Sequence, residues 1–138
     1  MGYPNKPASS ATAINRINPE AQFVIYNMGS DKEEIVWYTG EVDSEGNGTT
    51  TKTVPSGCSD AAIKAKKDQL NNDRAKNLLR IERNKKLAET DWMTLSDTAE
   101  MSDAWKTYRQ ELRDLPSTQN PTITGAALGN VTWPTKPN

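Results

Sequence analysis

The stretch running from Ser59-Asp60-Ala61-Ala62-Ile63, through Leu78-Leu79-Arg80-Ile81, to Leu87-Ala88-Glu89 decides the fold. Residues 60–89 contain neither Gly nor Pro and are dense in Ala, Lys, Leu, Arg, Gln and Glu. Those residues lose little freedom on entering a helix. Ser59 offers an N-cap, and Asp60 suits the positive end of the helix dipole. The stretch therefore reads as one helix, about 30 residues and roughly 45 Å long. Ile63, Leu70, Leu78, Ile81 and Ala88 fall near one stripe, with Leu79 and Leu87 beside it. The stripe is thin before Asn77 and thicker after it. A small domain cannot cover such a helix, so its first half is expected to be exposed or to self-associate as a coiled coil.

A second helix follows. Met101, Trp105, Tyr108, Leu112 and Leu115 are spaced by four, three, four and three residues, which gathers five large side chains on one face. Pro116 is expected to stop this helix, and its start lies near Thr98 to Ser102. Thr90 to Ser96 is too short to join the helices except as an antiparallel or sharply angled pair. Trp92 is expected to plug that corner near Trp105. The final stretch, Ser117 to Asn138, holds Pro121, Gly125, Gly129, Pro134 and Pro137 and reads as an extended tail.

Upstream the pattern changes. Phe23-Val24-Ile25-Tyr26 and Ile35-Val36-Trp37-Tyr38 are β-branched and aromatic, with turn residues Asn27 to Asp31 between them. They read as an antiparallel hairpin. Thr49 to Val54 offers a third strand, after an acidic, Gly-rich loop from Gly40 to Gly48. Ala13 to Ala21 is a short lead-in broken by Pro19. The expected class is α+β: a small N-terminal hairpin or three-stranded antiparallel sheet, a long helix, a second amphipathic helix and a Pro/Gly-rich tail. The expected organisation is a flexible arm at 1–12, a β region at 13–56, a two-helix region at 59–116 and the tail at 117–138.

Composition narrows the function. Only 34% of the 138 residues are apolar, so the core is small and some segments are expected to lean on a partner. Net charge is -1, which gives no general pull toward nucleic acid or membrane. The charge is uneven. Residues 1–58 carry four basic and seven acidic side chains (-3), residues 59–89 nine and five (+4), and residues 90–138 four and six (-2). The basic middle reads as a solvated helical face with i,i+4 pairs, or as a docking face for an acidic partner. No apolar run approaches the roughly 20 residues of a membrane span, and Met1 to Pro7 lacks the core of a secretory signal.

Catalysis finds no support. There is no histidine, so Cys58, the single cysteine, lacks its usual base and reads as an inert turn thiol. Asp91, Asp97 and Asp103 do not have the spacing of an EF-hand loop. Neither Gly-containing stretch matches a phosphate or dinucleotide loop. No cofactor and no metal are expected. The aromatic set Trp92, Trp105, Tyr108 and Trp133 reads as core and staple residues rather than a stacking platform. Arg109 and Arg113, four apart, read as forked salt-bridge formers toward the first helix or a partner carboxylate.

One resemblance adds to this. Arg83-Asn84, Leu87 and Thr90-Asp91-Trp92 are followed by Trp105, Tyr108-Arg109-Gln110, Leu112-Arg113-Asp114 and Pro116, with Val131-Thr132-Trp133-Pro134 near the end. This order resembles the C-terminal half of bacteriophage tail assembly chaperones and tail-fibre assembly proteins. Two departures stand out. Such proteins often carry a proline where this chain has Ser96, and Thr122 to Asn130 delays the closing aromatic-Pro element. More weakly, Ile14 to Phe23, Ile35-Val36-Trp37 and the capped helix from Ser59 are similar to small phage tail proteins. The resemblance implies a non-catalytic protein that binds a phage tail or tail-fibre polypeptide in the host cytoplasm and aids its folding, oligomerisation or attachment. A permanent subunit of the virion, built on the same module, is the alternative. Trp92, Trp105, Tyr108, Arg109, Arg113 and Trp133 are the residues expected to organise the partner-binding region.

Overall fold

The computed structural model describes residues 7–125 and 127–138. The chain is α+β and divides into two compact units, Pro7–Asn71 and Asn72–Asn138. The division falls inside the long helix, not at the Pro55–Ser59 turn where the composition changes.

The N-terminal unit begins with a helix, α1 (Ser10–Ile17). Ser9 caps it by accepting a hydrogen bond from the Thr12 backbone N–H at 3.2 Å. Residues 10–12, assigned from sequence to a flexible arm, are its first turn; residues 1–6 of that arm lie outside the described residues. The lead-in at Ala13 is thus mostly helical. Ser10, Ala13, Ile14 and Ile17 share the i, i+3, i+4, i+7 spacing of one buried face. Chain reversal then leads to β1 (Gln22–Tyr26), β2 (Glu34–Val42) and β3 (Gly48–Thr51), an antiparallel sheet in that order.

Register pairs Phe23 with Trp37, Val24 with Val36 and Tyr26 with Glu34. Asn27 and Gly29 take positive φ in the turn, as asparagine and glycine tolerate. The third strand starts earlier than expected, and β2 runs on through Gly40 with a register shift between Tyr38 and Val42. Gly40, at φ +84°, supplies the left-handed residue such a bulge uses. One sheet face carries Phe23, Ile25, Ile35 and Trp37 onto Ala13, Ile14, Cys58 and Ile63. The Phe23 and Trp37 rings meet edge to face at 5.9 Å. Cys58 is 1% exposed, and burial pushes its thiol up from the ordinary value.

The long helix, α2 (Asp60–Ala88), is continuous over 29 residues. Ser59 caps it through the Ala62 N–H. Its first half is not a free coiled-coil stripe. Ile63 is buried in the N-terminal core, the Lys67 ammonium donates to Ser10 Oγ at 3.2 Å, and Asn71 Oδ1 accepts the Ala8 N–H at 2.7 Å. No helix among the described residues is long and apolar enough to cross a membrane.

Within the C-terminal unit the buried positions of α2 are Ala75 and Leu79, whereas Ile81 is 52% exposed. The stripe read from sequence is therefore rotated, with Leu79 at its centre. A short 3-10 helix (Asp91–Thr94) leads toward α3 (Asp103–Thr118). Pro116 does not stop α3. It stands in the last turn, which continues to Thr118, and the Gln119 N–H closes on the Leu115 carbonyl. Losing one N–H there breaks a single ladder bond near an end that frays in any case. Tyr108, Leu112 and Leu115 form the core, with Leu87, Trp105 and Trp133 packed on it.

The tail is more ordered than an extended strand. β4 (Thr122–Thr124) and β5 (Ala127–Gly129) form a small hairpin. Asn130 Nδ2 donates to the Asn120 carbonyl at 2.7 Å, and Gln119 Oε1 accepts the Thr132 N–H. The remainder, through Trp133 and Pro134, has no regular structure.

Candidate partner-docking site

The C-terminal unit turns on one buried cation. Helix α2 ends at Ala88, which leaves carbonyls with no intrahelical partner. Arg109, on the inner face of α3 and 6% exposed, answers that need. Its Nη1 donates to the Leu87 carbonyl at 3.1 Å and to Thr90 Oγ1, and its Nη2 donates to Asp91 Oδ1 at 2.8 Å. Thr90, 1% exposed, in turn donates its hydroxyl to the Leu87 carbonyl at 2.9 Å. A guanidinium presents several N–H groups in one plane, so it can hold a helix end and the start of the next turn together. Lysine, with one point charge, cannot span the same three acceptors. Thr90-Asp91 and Arg109, eighteen and more residues apart in the sequence, are thus one structural knot.

The aromatic residues divide around this knot. Tyr108 is buried, and Trp105 meets it edge to face at 5.7 Å. Trp133 packs on the same core, with the Lys86 ammonium 5.1 Å from its ring centroid. Lys136 pairs with Glu89 at 3.4 Å, holding the last residues against the end of α2. Trp92 does not plug the corner and makes no ring contact with Trp105. It is 57% exposed. The Arg109 knot draws Thr90 inward, and the tight 3-10 turn that follows has no buried residue. Arg113 is exposed and does not reach α2 through its side chain. Only its backbone carbonyl does so, accepting Arg83 Nη1 at 3.2 Å.

Beside the knot lies an open cleft of about 710 Å³. Met93, Leu95 and Met101 supply its apolar part, while Lys106, Arg109 and Arg113 line it with positive charge. Leu95 is 57% exposed. Lys106 is already engaged with Glu100 at 3.3 Å and Asp103 at 3.5 Å. The Glu100 hydrogen bond and charge, with Asp103 adding, hold its ammonium pKa above the usual value. Sequence reasoning missed Met93, Leu95 and Met101 as a surface. The signal was present: with Trp92, they are four large apolar side chains in a connection otherwise made of Thr, Ser, Asp, Ala and Glu. Among the described residues no group of three or more Cys, Asp or Glu is arranged to hold a metal ion.

The C-terminal unit is a two-helix module knotted by a buried arginine, with a cleft on its surface lined by apolar and basic side chains. Residues 76–138 match the model of the family described as phage tail assembly chaperone protein. The match covers α2 from Lys76, the 3-10 turn, α3 and the tail, and it supports a role in phage tail assembly. No curated protein and no solved structure matches the chain.

Proposed function

We propose that this chain is a non-catalytic assembly chaperone that binds a phage tail or tail-fibre polypeptide in the host cytoplasm and aids its folding, oligomerisation or attachment. The observation that carries this reading is the exposure of Trp92 and Leu95 within the family-matched segment, beside a basic cleft. Large apolar side chains held outside a core by a rigid frame mark a surface that another chain covers. Co-expression with a tail or tail-fibre polypeptide should raise the yield of that polypeptide in soluble, assembled form. An unchanged yield would count against a chaperone.

A second reading has one observation in its favour. The N-terminal unit carries its own core and sheet but lies outside the matched residues. It would suit a permanent virion subunit built on the chaperone module. Quantitative mass spectrometry of purified particles separates the two. Stoichiometric copies in particles would favour the subunit, whereas abundance in lysate without copies in particles would favour the chaperone.

A further inference from the structure

We infer that the cleft of the C-terminal unit receives a segment of the tail polypeptide in which large apolar side chains flank an Asp or Glu, and that Arg113 takes this carboxylate. The inference rests on the chaperone reading and names the chemistry of the segment bound. Its ground is the charge balance of the cleft. Three cations, Lys106, Arg109 and Arg113, and one carboxylate, Glu100, line it. Lys106 is neutralised by Glu100 and Asp103, and Arg109 by Asp91. Arg113 pairs with no carboxylate among the described residues. Its one side-chain hydrogen bond is a long one, 3.5 Å from Nη1 to Gln110 Oε1.

Asp114 faces Gln110, and both its oxygens accept from Gln110 Nε2, at 3.0 and 3.2 Å. The cleft therefore holds one guanidinium whose fork is open to a ligand, next to Met93, Leu95 and Met101. Methionine side chains adapt to differing apolar partners, which suits a surface that meets an incompletely folded chain. A guanidinium at the margin of an apolar surface selects a carboxylate with bidentate geometry, so it adds register to otherwise undirected apolar contact.

The test tiles a co-expressed tail polypeptide as fluorescein-labelled 15-residue peptides and measures their binding to the full chain by anisotropy. Peptides that bind should carry an Asp or Glu among apolar residues. R113Q should weaken them about tenfold, as loss of a charge-assisted bond does. Replacing the peptide's acid by its amide should weaken binding by a similar factor, and R113Q should then add little. L95K should weaken every binding peptide, while V24K, on the sheet of the other unit, should weaken none. Circular dichroism melts confirm that R113Q and L95K remain folded. Binding that is indifferent to R113Q and L95K overturns the cleft assignment and leaves the chaperone reading standing. Failure of the wild-type chain to retain any tail polypeptide in the co-expression assay overturns both.

Discussion

The two units of this chain solve the same shortage of apolar residues differently. The N-terminal unit builds a layered core in which α1, one face of the sheet and the start of α2 enclose Ile14, Trp37, Cys58 and Ile63. Its buried polar residue, Ser10, donates to Glu33 at 2.6 Å and accepts from Lys67. The C-terminal unit has no layered sheet to close over its helices. It draws a guanidinium inside, and Arg109 ties the end of α2 to the following turn. Polar contacts in the first unit tidy the margin of an apolar core. In the second, a polar contact sets the angle at which the chain leaves the helix. The difference also decides what each unit shows to solvent. The sheet presents Val24 and Tyr26, side by side with paired strands, whereas the knot turns Trp92 and Leu95 out next to unfilled space.

The largest effects should come from the two cores. Leu112→Ala in the C-terminal unit should cost about 3–5 kcal/mol, and Ile14→Ala in the N-terminal unit a similar amount, since both side chains are fully buried. Urea unfolding followed by near-ultraviolet circular dichroism measures both. A small loss at Leu112 would show that the C-terminal unit leans on its polar knot more than on its core.

Arg109→Met tests that knot directly. It removes three hydrogen bonds, one of them charge-assisted to Asp91, while the Thr90 hydroxyl and the Leu87 carbonyl keep each other, so about 2–3 kcal/mol should be lost. Arg109→Lys should recover little of it, because lysine cannot reproduce the fork. Full recovery with lysine would mean that charge alone matters, and the geometric account would fall.

Two tryptophans sharpen the contrast between frame and surface. Trp105 is half-buried against Tyr108, so Trp105→Ala should cost about 2 kcal/mol, less than a fully buried aromatic. Trp92→Ala should change stability by less than about 0.5 kcal/mol while weakening partner retention. A large stability loss at Trp92 would move it from the surface back to the frame.

The smallest effect belongs to the β2–β3 loop. Backbone N–H groups of Asn47 and Glu45 donate to Asp43, which lowers its carboxyl below the usual 3.8, the Asn47 bond contributing most. A lowered folded value favours the folded state above 3.8, and that contribution is lost as the pH falls from there through the lower folded value. Asp43→Asn should remove this part of the acid dependence, measured as urea midpoints at pH 5 and pH 3. An unchanged difference between those two midpoints would show that the loop does not couple to folding.

Much of this structure was legible before any coordinates. The Gly- and Pro-free run from Asp60, capped by Ser59, is a helix on local grounds alone, since propensity and caps act within a few residues. Alternating β-branched and aromatic residues around Asn27 and Gly29 specify the hairpin in the same way. The class, the two helices and the family resemblance followed from such short-range signals. What they left open depended on distant partners. Helix α1 is only eight residues long, too short to declare itself without the sheet it packs on, although Ser9 and the spacing of Ala13, Ile14 and Ile17 were there to read. Ile81 and Leu79 compete for one stripe, and tertiary packing buries Leu79 and leaves Ile81 exposed. Trp92 reads as a core aromatic from its residue type. It lies outside because Arg109, seventeen residues further on, holds the preceding Leu87 carbonyl and Thr90 hydroxyl inward. Sequence fixes what each segment prefers, since those preferences are settled between near neighbours. Which apolar side chain is covered and which is left for a partner is settled by packing, where groups far apart in the chain compete for the same small interior.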